Sequence, residues 1–311
     1  MSTTVRVHRT TWLADGVVRL ELCDPGGAEL GGWEPGAHLS LHLPNGLTRQ
    51  YSLCGDPADR HTWTVAVLRE PASRGGSSWV HERLTAGTVL EVDGPRNNFA
   101  LAGAEEYLLI AGGIGITPLL AMARSLTAQG ASWRMFYCGR SRSSMAFLSE
   151  LDIDRLTVHA DDERGGPPDL STVLAGVSAG TAVYCCGPEP LIAAVEAAAP
   201  DPAQVHVERF KPAAAAAPST ADSAFDVVCA GSGTRVRVEP DVSVLDALTL
   251  AGMDVPFSCQ EGVCGSCETK VLDGEPDHRD FVLSDAEKAA NATMLPCVSR
   301  CRSAELVLDL G

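Results

Sequence analysis

The sequence contains, at residues 258–267, the run Ser-Cys-Gln-Glu-Gly-Val-Cys-Gly-Ser-Cys. This run places Cys259, Cys264 and Cys267 in a C-x4-C-x2-C spacing, and a fourth cysteine, Cys297, follows much later in the chain. The spacing is the plant-type pattern for a [2Fe–2S] cluster, in which each iron takes two thiolates. Because such a cluster carries one electron at a time, the pattern predicts an electron-transfer function.

Two other uses of cysteine fit the pattern less well. A zinc site usually has two paired C-x2-C units, whereas Cys297 stands alone after Leu295 and Pro296. A disulfide framework is disfavoured because the chain has 11 cysteines, an odd number, and its N-terminus leads into no apolar signal region. Gly262 and Gly265 let the loop turn tightly, so that its N–H groups can approach the cluster sulfides.

Length and charge bound the remaining possibilities. At 311 residues the chain can hold two or three domains with full cores, and its formal charge of −16 argues against binding to nucleic acid or to an anionic membrane surface. The longest apolar run, residues 108–123, is interrupted by glycines and a proline, and a bilayer span needs about 20 apolar residues. The many unpaired cysteines fit a reducing cytoplasm.

The cluster motif belongs to a separate C-terminal segment. Residues 212–223 are rich in alanine, proline and serine and contain no large apolar side chain, so they predict a linker. Beyond it, Thr234–Val238 alternates like a strand, and Ser243–Leu250 has the apolar spacing of a short helix. This order of strand, helix and cluster loop resembles the plant-type ferredoxin family, which implies an α+β domain over residues 224–311.

The middle of the chain predicts a nucleotide-binding domain. The apolar strand Glu106–Ala111 leads into a glycine turn and then a helix, which places N–H groups where a pyrophosphate can bind. An ordinary turn with glycines for packing is the alternative. Thr117 is predicted as the N-cap of the helix and Pro118 as its first residue. The candidate binding residues of this turn are Gly112, Gly113, Gly115, Thr117 and Pro118.

Two later segments extend this interpretation. Trp133–Arg140 looks like the next strand with its exit loop, and Thr181–Cys186 looks like a later strand that ends in Cys-Gly-Pro. The order of these motifs resembles the NAD(P) domain of the ferredoxin reductase superfamily, an α/β domain expected here over residues 104–211. The resemblance implies that Cys186, Gly187 and Pro188 lie at the nicotinamide end.

Residues 1–103 alternate short strand-like runs with Gly/Pro turns, which predicts a small antiparallel β-barrel. The runs Arg49-Gln50-Tyr51-Ser52 and Arg74-Gly75-Gly76-Ser77 resemble two flavin motifs of the same superfamily. An ordinary strand with a surface arginine is the alternative for the first motif alone. The resemblance implies that Arg49 and the N–H groups of Gly76 and Ser77 hold phosphate, that Tyr51 stacks on the flavin, and that Ser52 lies at its N5 atom.

The order of the three modules, a flavin barrel, a nicotinamide domain and a ferredoxin, resembles phthalate dioxygenase reductase and vanillate demethylase reductase. This resemblance implies FMN rather than FAD, with Cys297 rather than Cys301 as the fourth ligand. It also implies a multidomain chain whose catalytic residues are Ser52, Cys186 and Phe210. Phe210 is expected near the flavin ring, with a buried core phenylalanine as the alternative.

The expected function follows from these modules. NADH gives a hydride to FMN, and single electrons pass through the cluster to a terminal Rieske-type aromatic oxygenase or demethylase; a cytochrome P450 is the alternative partner. A rival function is that of a redox sensor that binds NAD(H) without turnover. Asp161 and Asp162 favour NADH, whereas Arg140, Ser141 and Arg142 could hold the 2′-phosphate of NADPH. We expect a monomer that binds neither nucleic acid nor membrane.

Overall fold

The computed structural model describes residues 2–71, 73, 75–211 and 223–311. They fall into two compact units, Met1–Phe210 and Lys211–Gly311. Almost all of the predicted linker, residues 212–223, lies outside the described residues, as does Arg74. Within the described ranges, no helix combines the length and the apolar character that crossing a membrane requires.

The first unit begins with an antiparallel sheet of six strands. These are β1 (Ser2–Ala14), β2 (Val17–Cys23), β3 (Ala37–His42), β4 (Thr48–Ser52), β5 (Trp63–Leu68) and β6 (Val89–Asn97). The strand order is β4-β3-β6-β1-β2-β5, and a bridge between Leu53 and Val65 joins the two edges. The sheet therefore curls into a barrel, as predicted, around a core that includes Leu20, Leu39 and Val65. Helix α1 (Gly76–Arg83) follows β5.

A parallel sheet completes the first unit. Its strands are β7 (Glu106–Gly112), β8 (Ser132–Gly139), β9 (Leu156–Ala160), β10 (Thr181–Cys186) and β11 (Val205–Glu208), and its helices are α2 (Ile116–Ala128), α3 (Asp161–Arg164), α4 (Leu170–Leu174) and α5 (Glu189–Ala198). The order is β11-β10-β7-β8-β9. The strand order reverses between β7 and β10, and ligands of such sheets bind at the carboxyl ends of the strands beside this point.

The predicted start of helix α2 is wrong by two residues. A 3₁₀ turn over Gly113–Gly115 runs directly into the helix, so Gly115 occupies the N-cap position. Thr117 and Pro118 therefore lie inside the first turn, and the Thr117 hydroxyl donates a hydrogen bond to the Ile114 carbonyl at 3.0 Å. Thr117 stabilises the turn from within, because its side chain bonds backward rather than capping the helix.

The barrel and the parallel sheet share one hydrophobic core. The domain boundary expected at residues 103 and 104 therefore lies between two sheets of a single compact unit. Phe99 and Cys54 from the barrel side pack in the same cluster as Tyr184 and Leu119 from the nucleotide side. The connecting segment is fixed by Tyr184, whose hydroxyl accepts a hydrogen bond from the Ala102 N–H at 2.6 Å. This packing holds the carboxyl edge of the parallel sheet against the barrel.

The second unit is an α+β fold. It contains β12 (Phe225–Cys229), β13 (Arg235–Val238), α6 (Val244–Leu250), β14 (Thr269–Asp273), β15 (Pro276–Asp277), α7 (Asp285–Ala290), β16 (Thr293–Met294), β17 (Arg300–Cys301) and β18 (Glu305–Leu308). Five strands form a mixed sheet in the order β13-β12-β18-β14-β16. The predicted helix is confirmed: Ser243 caps it by accepting from the Asp246 N–H at 3.0 Å, and Val244, Leu245 and Leu248 are buried.

Candidate functional site

The two predicted flavin motifs contact each other. Arg49 lies in β4 and packs on the first residue of α1, because a Cβ atom built at Gly76 would lie 2.7 Å from the Arg49 Cγ atom. Only glycine therefore allows the arginine to cross the start of this helix. The first N–H groups of a helix have no acceptor within it, so Arg49 and the α1 N-terminus together offer donors to a phosphate group.

Ser77 takes part through its backbone rather than its hydroxyl. The Ser77 Oγ atom accepts from the Glu70 N–H and donates to Ser73 Oγ, both at 3.1 Å. Ser73 Oγ also accepts from the Gly75 N–H at 3.1 Å. These bonds hold the loop that precedes α1, where Gly75 has a left-handed φ of 94°. The predicted contribution of Ser77 is thus consistent with its N–H group alone.

Ser52 of the predicted flavin motif and Cys186 of the predicted nicotinamide motif both lie next to one further residue, Glu208. Ser52 ends β4, and its hydroxyl donates a hydrogen bond to the Glu208 carboxylate. Cys186 ends β10 and pairs in register with Glu208, which ends β11. Burial raises the pKa of Glu208 to about 8 and that of the Cys186 thiol well above its ordinary value.

Glu208 and His38 are candidate site residues that the sequence prediction omitted. One carboxylate oxygen of Glu208, Oε2, is shielded from solvent and has no hydrogen-bond partner among the described residues. His38 pairs in register with Ser52 across β3 and β4 and is buried. Burial lowers the pKa of His38 to about 4, so its imidazole is neutral at neutral pH. A signal for Glu208 was its place at the end of a strand, four residues before the linker begins.

The aromatic residues of the prediction occupy different environments. Tyr51 is partly buried against the barrel core, and this burial raises the pKa of its phenol. Phe210 is 37% exposed at the end of the first unit, two residues beyond Glu208. The exposure excludes the interpretation of Phe210 as a core phenylalanine, and its predicted place near a flavin ring stays a prediction.

The glycine turn after β7 packs against the Cys-Gly-Pro segment after β10. A Cβ atom at Gly115 would overlap the Cys186 carbonyl and lie 2.7 Å from the Gly187 nitrogen, and one at Gly112 would lie 2.7 Å from the Pro188 Cδ atom. The two nucleotide motifs therefore form one surface, and the absence of side chains makes it possible. Gly113 has a φ of 53° with open space around its Cα, which leaves its backbone accessible to a ligand.

The ends of β8 and β9 carry the residues that bear on nucleotide choice. Asp161 and Asp162 directly follow β9, and the Asp162 N–H donates to the Arg140 carbonyl at 3.1 Å. The Asp161 Oδ1 atom is shielded and lies 3.6 Å from His159 Nε2. Arg142 is paired with Glu163 at 2.8 Å. The ends of β8 and β9 therefore carry both the acidic residues that favour NADH and the basic residues that could hold the 2′-phosphate of NADPH.

The four predicted iron ligands lie in two pairs. The Sγ atoms of Cys267 and Cys297 are 3.3 Å apart, and Cys259 hydrogen-bonds to Cys264. In each pair the hydrogen bond from its partner is the largest cause of a lowered pKa, to about 5 for Cys264 and in the same direction for Cys267. Two thiolates per iron is the donor set of a [2Fe–2S] cluster, so these residues fit that group.

The loop that holds the first three cysteines adopts the turns that its glycines predicted. Gly262 and Gly265 have left-handed φ values of 69° and 72°. N–H groups already point at sulfur: that of Glu261 donates to Cys259 Sγ at 3.2 Å, and that of Ser266 to Cys264 Sγ at 3.4 Å. Such donors stabilise negative charge on a cluster and its ligands.

Residues 277–281 brace the cluster loop against the turn that carries Cys297. The N–H of Phe281 donates to the Gly262 carbonyl at 2.9 Å, and the N–H of Arg279 donates to the Ser299 hydroxyl at 3.2 Å. Asp280 is buried and accepts from the N–H groups of Val282 and Leu283. Cys301, by contrast, lies in β17 with its Sγ atom 3.1 Å from the Ser303 hydroxyl.

Comparison with known families supports the division into modules. The model of the 2Fe-2S iron-sulfur cluster binding domain matches residues 227–302, a range that includes all four predicted ligands. The model of the N-terminal domain of dimethylamine monooxygenase subunit DmmA-like proteins matches residues 98–206, which include the parallel sheet as far as β11. The iron–sulfur interpretation of the second unit therefore rests on its sequence pattern, its geometry and its family.

Individual proteins match over nearly the whole chain. Phenoxybenzoate dioxygenase subunit beta of Ectopseudomonas oleovorans is 47% identical over 98% of this chain and 97% of its own length. The structure of phthalate dioxygenase reductase, described as modular for electron transfer from pyridine nucleotides to [2Fe-2S], has a TM-score of 0.73 and 38% identity and covers 99% of this chain and 98% of its own.

A second solved structure is that of an intact type IV self-sufficient cytochrome P450 monooxygenase. It has a TM-score of 0.92 and 44% identity over 99% of this chain, but the chain spans only 41% of that protein. The expected fold class, with a barrel, a parallel α/β sheet and a ferredoxin module, is confirmed. The chain belongs to the family of oxygenase reductase subunits that includes phthalate dioxygenase reductase and vanillate O-demethylase oxidoreductase.

Proposed function

We propose that this chain transfers a hydride from NADH to FMN and passes single electrons through a [2Fe–2S] cluster to a Rieske-type aromatic oxygenase or demethylase. The observation that carries the proposal is the convergence of Ser52, Glu208 and Cys186. The end of the predicted flavin motif and the end of the predicted nicotinamide motif thereby meet around one carboxylate. FMN, NADH and the cluster supply the redox chemistry, and the protein supplies binding, orientation and electrostatics.

On the flavin side, each residue has a defined task. Arg49 and the N–H groups of Gly76 and Ser77 bind the FMN phosphate. Tyr51 packs along the flavin, and Ser52 presents its hydroxyl to the ring edge that receives hydride. Because Glu208 accepts a hydrogen bond from the Ser52 hydroxyl, the orientation of that hydroxyl is fixed before any cofactor binds. The support is the contact between Arg49 and Gly76 and the burial of Ser52.

On the nucleotide side, the turn from Gly112 to Gly115 receives the pyrophosphate, and Cys186, Gly187 and Pro188 border the nicotinamide. The Cys186 thiol stays protonated because burial raises its pKa well above the ordinary value, so it adds no charge beside the reacting atoms. Thr117 and Pro118 hold the first turn of α2 beneath this surface. We assign NADH as the preferred donor on Asp161, whose carboxylate at the end of β9 suits a ribose hydroxyl.

A terminal oxygenase is the partner, because related chains are subunits of oxygenase systems. The Rieske type is our choice within that class. A cytochrome P450 is the second candidate, and the similarity to part of a self-sufficient P450 favours it. The two are separated by measuring NADH-driven electron delivery from the purified reductase to a Rieske oxygenase and, in parallel, to a P450 domain. Faster delivery to the P450 would reverse the choice.

Composition and turnover test the rest of the proposal. We expect one FMN and two irons per chain, and chromatography that finds stoichiometric FAD instead would reject the flavin assignment. Steady reduction of cytochrome c by NADH distinguishes a reductase from a redox sensor, which would bind the nucleotide without sustained turnover. We also propose a monomer, and a reducing cytoplasm that the 11 free cysteines support. Light scattering of the loaded protein tests the monomer.

A further inference from the structure

The ends of β8 and β9 carry opposite charges that are already paired. The Arg142 Nε atom donates to the Glu163 carboxylate at 2.8 Å, and the two side chains are 52% and 46% exposed. The chain segments that carry them are fixed side by side, because the Asp162 N–H bonds to the Arg140 carbonyl. Arg142 therefore lies at the edge of the sheet where the nucleotide is expected. Its guanidinium is already paired with a carboxylate from the turn that follows β9.

NADPH differs from NADH by a 2′-phosphate on the adenosine ribose, and an arginine fork is the side chain that best matches a phosphate. In this sheet the adenosine is expected over β8 and β9, since the nicotinamide end lies over β10 on the other side of β7. We propose that Glu163 is a specificity-determining residue: it holds Arg142 in an ion pair and thereby denies that arginine to the 2′-phosphate. The inference rests on the proposed NADH oxidation.

The position of Glu163 separates its role from that of Asp161. Asp161 directly follows β9, and its shielded Oδ1 atom faces His159, so it is suited to a ribose hydroxyl. Glu163 lies two residues further on in α3 and reaches across to Arg142. A half-exposed ion pair is weak, so breaking it should not disturb the fold and should release a mobile guanidinium. Discrimination between NADH and NADPH then depends on the Arg142–Glu163 pair, and substitution of either residue should alter it.

The test is the ratio of kcat/KM for NADPH to kcat/KM for NADH in Glu163→Gln. We expect this ratio to rise about two- to fivefold at low ionic strength, the size of effect that one exposed charge pair supports. Calorimetric binding of 2′-AMP, used as a probe without any redox chemistry, should tighten by a similar factor. Both effects should shrink as salt rises, because the interaction is between exposed charges.

A second variant separates masking from simple repulsion of the phosphate. Adding Arg142→Ala to Glu163→Gln should abolish the gain with NADPH and with 2′-AMP, because the released arginine is then missing. A gain that survives in the double variant would overturn the inference. Glu305→Gln is the matched control: Glu305 pairs with Arg235 in the second unit, so the same charge is removed away from the sheet, and the ratio should not change.

The outcomes also distinguish this inference from the proposed function. If the wild-type protein oxidises NADH but the ratio stays constant in Glu163→Gln, the role of Glu163 is rejected and the reductase function stands. If the wild-type protein binds neither nucleotide, the proposed function fails, and the 2′-AMP measurement fails with it.

Discussion

Glu208 is a carboxyl group enclosed by the residues that border the expected flavin and nicotinamide. Burial raises its pKa from an ordinary 4.5 to about 8, so the side chain is protonated and neutral through most of the physiological range. A negative charge there would oppose the arrival of a hydride at the adjacent ring edge. The residue therefore links the protonation state of the site to the rate of flavin reduction.

We predict that flavin reduction by NADH slows as pH rises through about 8 in the wild-type protein and stays nearly constant in Glu208→Gln. The amide retains an acceptor for Ser52 but cannot ionise. Anaerobic stopped-flow measurement of flavin absorbance across this pH range provides the test. The same inflection in both proteins would show that another group titrates.

The pH dependence of the stability of the first unit should also reflect the ionisation of Glu208. Because the folded-state pKa of Glu208 is raised, its contribution to folding is fully present below about pH 4.5 and is lost as pH rises through about 8. Glu208→Gln should remove this part of the pH dependence of Tm, so the two proteins should differ most in slope between these pH values. Thermal melts followed by circular dichroism would check the prediction, and parallel slopes would contradict it.

Cys297 and Cys301 allow a matched test of the iron ligands. Cys297→Ser should abolish the cluster while NADH still reduces the flavin, because Cys297 supplies the second thiolate of the Cys267 pair. One-electron delivery to the oxygenase should then collapse. Cys301→Ser should keep two irons per chain, since that thiol lies in β17 and hydrogen-bonds to the Ser303 hydroxyl. Iron analysis and partner reduction measure both, and wild-type delivery by Cys297→Ser would remove the cluster from the path.

The sequence predicted the ligands and the flavin and nicotinamide motifs because their chemistry requires particular residues at fixed spacing. No such spacing marks Glu208, and its place at a strand end was a signal that did not indicate a buried carboxyl group. Its high pKa arises from the parallel pairing of β10 with β11 and from the approach of β4, which the local sequence around residue 208 does not encode. The same holds for the pairing of Arg142 with Glu163, since it depends on which strands are neighbours.

The glycine turn between β7 and α2 packs closely against the Cys-Gly-Pro segment because glycine has no side chain. We predict that Gly115→Ala raises KM for NADH at least about tenfold and lowers Tm, because the added methyl group overlaps the Cys186 carbonyl and overpacking of this kind costs about 1–3 kcal/mol. Gly103→Ala is the control, since a Cβ atom there meets nothing within 4 Å. Unchanged nucleotide affinity in a folded Gly115→Ala protein would contradict the role of the turn.

Strands and helices were predicted best where the apolar pattern was long. The expected strand at Glu106–Ala111 is observed as Glu106–Gly112, and the helix expected from Ser243 is observed as Val244–Leu250. The start of α2 was the exception. Threonine followed by proline is typical of a helix start. Here the 3₁₀ turn over Gly113–Gly115 has already begun the helical backbone before Thr117. A local propensity rule could not include that turn.

Taken as a whole, the molecule carries much of its negative charge on the ferredoxin module. Residues 224–311 contain fifteen acidic and seven basic residues, a formal charge of −8 out of −16 for the chain. A solvated surface that aids solubility is one use of such charge. Electron-transfer contacts are small and transient, so long-range attraction to a basic partner would act mainly on the association rate.

We therefore predict that electron delivery to the terminal oxygenase slows as salt rises, while flavin reduction by NADH changes much less. Screening shortens the reach of exposed charges to about 10 Å at 0.1 M salt. Stopped-flow rates of partner reduction over a range of salt concentrations give the result. Rates that stay flat would indicate that apolar contacts, such as those of the exposed Phe257 and Phe281, dominate the encounter.

The paired arrangement of the four cysteines also has a consequence for how the protein must be made. Sulfur atoms 3.3 Å apart, as in Cys267 and Cys297, are placed as readily for oxidation to a disulfide as for capture of iron. In a newly synthesised chain, delivery of iron therefore competes with oxidation of the cysteine pairs. Chains purified in air without iron should lose titratable thiols in twos and should accept a cluster only after a reductant such as dithiothreitol has reopened the pairs.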